Sequence, residues 1–125
     1  MINRKIPLTG RVGLFAVGHA VYWGQFPGLL DNLMKFHADF CEKVKGMGVE
    51  VVDFGMIDSS EKAFEVIPKM KAASVDVLFC NMVTYATSSV YAPIVKAMEA
   101  PMILVALQPR RAMDYTRACT FMQLE

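Results

Sequence analysis

Two regimes of hydrophobic patterning alternate along this chain. Val12-Gly13-Leu14-Phe15-Ala16-Val17 is an unbroken apolar run that stops at Gly18, and it predicts a strand buried on both faces. From Gly28 to Lys45 the period changes. Leu29, Leu30, Leu33, Phe36, Phe40, Cys41 and Val44 recur mostly three or four apart, with Asp31, Lys35, Asp39, Glu42 and Lys43 between them, as an amphipathic helix requires. Gly46 or Gly48 can end that helix. Val49 to Gly55 is short and β-branched, and its two acids, Glu50 and Asp53, predict a less buried strand suited to a sheet edge. Asp58-Ser59-Ser60-Glu61 offers an N-cap followed by an acid, ahead of Ala63, Phe64, Ile67 and Met70. Pro68 falls inside that second helix and predicts a kink or an early end. Val75 to Asn81 reads as a third strand. Ser88 or Ser89 then starts a helix carrying Val90, Ile94, Val95 and Met98, with Pro93 near its first turn, where proline is tolerated. Pro101 to Leu107 is a fourth strand as apolar as the first.

Strands alternating with helices specify an α/β fold: a parallel sheet of about four strands with helices on both faces, flavodoxin-like or Rossmann-like in kind. The expected strand order is second, first, third, fourth. Ligands of such sheets sit beyond the carboxyl ends of the strands, where the strand order reverses. Three segments converge there: Gly18 to Gly24, Asn81 to Ser89, and Gln108-Pro109-Arg110-Arg111. They bring His19, Tyr22, Trp23, Asn81, Thr84, Tyr85, Ser88, Gln108 and Arg110 to one edge. Hydrogen-bonding groups and aromatic faces without a carboxylate pair suit a neutral polyhydroxy ligand, a sugar.

Length and composition narrow the classes. The 125 residues, 54% of them hydrophobic, fit a single α/β domain over 1–125. Thirteen basic residues against 12 acidic ones give a formal charge of +1, which supplies no strong field for nucleic acid or an anionic membrane, and neither partner is expected. Cys41, Cys80 and Cys119 are odd in number and show no CxxC spacing, so they read as reduced thiols filling a core. Arg4, Lys5 and Arg11 precede an apolar run, but Gly18-His19 breaks it after about six residues, short of a signal-peptide core or the ~20 residues of a membrane span. The expectation is a cytoplasmic protein.

Each candidate has a simpler counterpart. Polar residues follow strands in many proteins because loops face water. His19 is a possible acid or ligand, yet the other histidine, His37, lies on the first long helix with no partner at ligand spacing, so neither a catalytic residue nor a metal site is expected within this chain. Gly18 to Gly24 matches neither GxGxxG nor a P-loop, which leaves Thr87-Ser88-Ser89, at a helix start, as the better phosphate candidate. Asp58, Ser59 and Ser60 are explained by helix capping. The ten methionines read as core filling.

The run Leu78 to Gln108, with Val83-Thr84-Tyr85 after the third strand, Pro101 before the fourth and Gln108 after it, resembles the amino-terminal domain of L-arabinose isomerases and the related L-fucose isomerases. Tyr22-Trp23-Gly24 after the first strand and Phe121-Met122-Gln123-Leu124 near the end extend the likeness over nearly the whole chain. The resemblance implies a fragment of a longer aldose–ketose isomerase, a homo-oligomer whose divalent metal, usually manganese, is held by glutamates and histidines downstream. No cofactor is expected in this fragment itself, and the fragment alone is expected to be inactive. It also implies that Gln108 contacts substrate; beside it, Thr84 and His19 or Tyr22 are expected to bond hydroxyls, Tyr85 to belong to the same binding site and Trp23 to pack on a sugar face. The departures concern the sugar. His19-Ala20-Val21 stands where the family has Ser-Gln-His, and Val83-Thr84-Tyr85 where it has His-Thr-Phe. The alternative is a stand-alone sugar-binding or sensor domain.

Overall fold

The sheet is built from the strand segments that the hydrophobic pattern marks out. In the computed structural model, which describes residues 8–112, 114–116 and 124, strands β1 (Arg11–Val17), β2 (Glu50–Ile57), β3 (Val77–Met82) and β4 (Met102–Val105) form one sheet in the order β2-β1-β3-β4. All pairings are parallel. The fold is α/β, and the acid-bearing second strand takes an edge, as its composition predicts.

Helices α1 (Val21–Gln25), α2 (Leu29–Lys45), α3 (Ser60–Ala73) and α4 (Ser88–Ala97) connect the strands. Successive strand residues point to opposite faces, and β1 feeds both. Val12 and Leu14 pack with Cys41 and Val44 of α2. Phe15 and Val17 pack on the other side with Leu78 and Cys80 of β3, Met70 of α3 and Ile94 of α4. Fully burying a side chain of this size is worth about 1.5–3 kcal/mol, so β1, apolar on both faces, anchors the molecule. No described helix is long and apolar enough to cross a membrane.

Several local expectations change. The short α1 has no apolar face and no buried residue, so the hydrophobic period gives no sign of it. Helix α3 runs through Pro68 to Ala73 without ending early. Proline removes the bond to the carbonyl four residues back, here that of Phe64, and both residues are exposed, so water can satisfy it. Pro93 lies in the middle of α4 and not in its first turn, because the helix begins at Ser88. Ser59 is the N-cap of α3, accepting from the Lys62 amide at 3.3 Å, whereas Asp58 does other work. Strand β4 is only four residues long.

One irregularity matters for the site. Leu14 of β1 lies opposite Asp53, but Ala16 lies opposite Met56, so β2 carries an extra residue there. Gly55 takes a left-handed conformation at this bulge, with φ of 74°, which any side chain would resist. Its amide N–H donates to Asp53 Oδ1 at 2.8 Å, fixing that carboxylate.

Candidate functional site

The loop leaving β1 is fastened before it reaches α1. The Gly18 amide donates to the Ile57 carbonyl at 3.2 Å and the Ala20 amide to the Asp58 carbonyl at 3.3 Å. A Cβ on Gly18 would stand 2.8 Å from the Trp23 ring, so glycine here is what lets the indole lie against the strand end. The Trp23 indole N–H donates to Asp58 Oδ2 at 2.7 Å, and Lys62 Nζ meets Asp58 Oδ1 at 2.8 Å. Burial pushes the Asp58 carboxyl up, but the bonds from Lys62 and Trp23 outweigh it and hold it below the usual range. Trp23 and Asp58 thus tie the first loop to the end of β2.

Three of the sequence candidates meet at this edge. His19 lies edge-on to Tyr22 with ring centroids 5.2 Å apart and to Tyr85 at 6.4 Å. Tyr85 is 59% exposed. Thr84, beside it, is buried, and its hydroxyl has no hydrogen-bond partner among the described residues. Gln108 lies elsewhere. It lines a cavity of about 190 Å³ together with Asn81, Asp39, Lys43, Phe36 and Phe40, between α2 and the carboxyl ends of β3 and β4. None of His19, Tyr22, Trp23, Thr84 or Tyr85 lines that cavity. A larger open groove of about 600 Å³ runs between α3 and α4, but its walls are chiefly apolar, with Phe64, Ile67 and Pro93 among them.

Sequence reasoning missed the group that backs the cavity. His37 of α2 is fully buried, and its two ring nitrogens are both engaged. Asn81 Nδ2 donates to Nδ1 at 3.2 Å, which leaves the proton on Nε2, and Nε2–H donates to Asp53 Oδ1 at 2.8 Å. Cys41 Sγ lies 3.6 Å from the same Nε2. The bond from His37 holds the Asp53 carboxyl below the usual range, against a smaller opposing effect of burial. Burial, with the Asp53 and Glu42 carboxylates nearby, pushes the Cys41 thiol up to about 11, and burial alone pushes Cys80 up to about 12. Both cysteines are free and buried, as expected of reduced core thiols, whereas Cys119 lies outside the described residues. So do Phe121, Met122 and Gln123 of the closing motif.

A signal for His37 did exist. Leu33, His37 and Cys41 follow one another at intervals of four, which puts the imidazole in the buried row of α2. Its partners lie 16 and 44 residues away, and only the fold brings them together.

Among the described residues, His37, Cys41 and Asp53 form one group able to hold a metal, with ligand atoms within 4.8 Å of one another. One imidazole, one thiol and one carboxylate do not fit the manganese implied by the resemblance, which prefers oxygen-rich sets. No family model matches the chain, and no curated protein matches it.

Proposed function

We propose that this chain is the amino-terminal domain of an aldose–ketose isomerase resembling L-arabinose isomerase, and that it positions the sugar while metal-dependent chemistry is supplied from further domains. The observation that carries this reading is the cavity beyond β3 and β4. Two side-chain amides, Gln108 and Asn81, a carboxylate, Asp39, and an ammonium, Lys43, line it together with the aromatic residues Phe36 and Phe40. Hydroxyl groups want such donors and acceptors, and the C–H faces of a sugar want the aromatic walls. The volume is below the ~300–1,000 Å³ typical of drug-sized ligands, which suits one small polar molecule. In the reaction proposed, a proton moves between C1 and C2 through an enediol, and this domain holds the sugar in place for groups elsewhere. His19, Tyr22, Tyr85 and Trp23 lie outside this cavity, so in this reading Gln108 and Asn81 hold the sugar without them. A homo-oligomer in the cytoplasm is the setting that goes with it.

The second reading, a stand-alone sugar-binding or sensor domain, rests on the same cavity. Conversion of a panel of pentoses and 6-deoxyhexoses with manganese separates the two, measured for the 125-residue chain and for a longer protein continuing from it. Conversion by the longer protein alone, with KM raised by Gln108→Ala, is the expected result. Sugar-dependent NMR shifts at Asn81 and Gln108 without conversion by either protein would favour the sensor, and conversion by the short chain would overturn the assignment of chemistry elsewhere.

A further inference from the structure

The most unusual group in this molecule lies behind the cavity. His37, Cys41 and Asp53 present nitrogen, sulfur and oxygen within 4.8 Å of one another, two from α2 and one from β2. We propose that these three side chains bind a zinc ion that clamps α2 to the edge strand β2. This site is independent of the sugar reading and differs from the manganese chemistry that reading places elsewhere.

The geometry is close to what zinc asks for. With Zn–S near 2.3 Å and Zn–N near 2.0 Å, a tetrahedral angle sets sulfur and nitrogen about 3.5 Å apart. Cys41 Sγ and His37 Nε2 are 3.6 Å apart. The same arithmetic sets nitrogen and carboxylate oxygen about 3.4 Å apart, so Asp53 Oδ1, now at 2.8 Å, has to move out by roughly half an ångström. It has room, because its side chain is 44% exposed on an edge strand. That exposure is also the way in for the ion and leaves water the fourth position.

The second shell is in place. Zinc takes the Nε2 lone pair, so the ring proton sits on Nδ1 in the bound form, and Asn81 meets it by turning its amide so that Oδ1 accepts where Nδ2 now donates. The thiol proton of Cys41 leaves to solvent as the thiolate binds. A thiolate and an imidazole select zinc over manganese or magnesium, whereas the bulge at Gly55 holds the carboxylate toward the helix. The Cys41 and His37 spacing of four residues on α2 keeps both ligands on one face.

The test uses the 125-residue chain, stripped of metal and titrated with zinc, and separately with cobalt(II) as the coloured substitute. One zinc per chain, a raised thermal midpoint and a tetrahedral cobalt spectrum with a thiolate charge-transfer band are expected. Cys41→Ala should abolish that band and weaken zinc at least about tenfold, while Cys80→Ala keeps both. Asp53→Asn, on an exposed side chain, serves if Cys41→Ala does not fold, and it too should weaken zinc at least about tenfold. Octahedral cobalt without the band, or zinc affinity unchanged in the variant that folds, overturns the site.

Discussion

The two faces of the sheet are built differently. Against α3 and α4, β1 and β3 present Phe15, Val17, Leu78 and Cys80, a face that holds by volume alone. Against α2 the same strands present Leu14 and Asn81, and that face buries an imidazole whose two nitrogens must both find partners. Burying a polar group without a bond is costly, so such a network persists only where its members are satisfied. The first face tolerates any well-fitting hydrophobe. The second specifies residue types, and the cavity lined by Asn81 and Gln108 opens on its side.

The comparison is sharpest under truncation of the apolar face. Phe15→Ala should cost about 3–5 kcal/mol in urea unfolding while leaving the imidazole NMR signals of His37 where they are. A shift of those signals would mean that the faces are coupled. On the polar face, His37→Leu removes the partner of a buried amide and should cost about 1–3 kcal/mol. Adding Asn81→Leu should then cost less than the two single changes together, because both ends of the bond are gone. Additive losses in that double-mutant cycle would dissolve the network into separate contacts.

Acid is the next and gentler probe. The Asp53 carboxyl is held below its ordinary value of 3.8 in the folded chain, so its contribution is present above that value and fades as pH falls through the lower folded one. The thermal midpoint should therefore drop below about pH 4, and less steeply in Asp53→Asn; equal slopes would remove His37 as the cause. Gln108→Ala should have the smallest effect on stability, within about 0.5 kcal/mol, since the residue is exposed. Sugar-dependent NMR shifts at Asn81 should nevertheless shrink in it.

Legibility in the sequence divides along the same line. The strand order could be read because Val12 to Val17 is apolar throughout while β2 carries Glu50 and Asp53, and that contrast separates a centre from an edge. Loop residues such as His19, Tyr22 and Tyr85 could be gathered because topology sends strand ends to one side. Helix α1 could not be read, since five residues containing Gly24 present no face to bury. The His37 group was hidden for a different reason. Its contacts to Asp53 and Asn81 exist only after three elements have packed, and no local period encodes them. Gln108 falls at the predicted edge, yet on the α2 side and away from the aromatic trio, because the two sides of the strand ends are distinct places.

The bulge at Gly55 has a further consequence. An outer strand ordinarily shows a regular row of unpaired amides and carbonyls, a template on which another chain can lay itself down. In β2 that row is out of step by one residue, and the Gly55 amide is already taken by a side chain of its own strand. Such an interruption makes β2 a poorer template than a regular edge strand, so the device that aims Asp53 at the helix also works against edge-to-edge pairing.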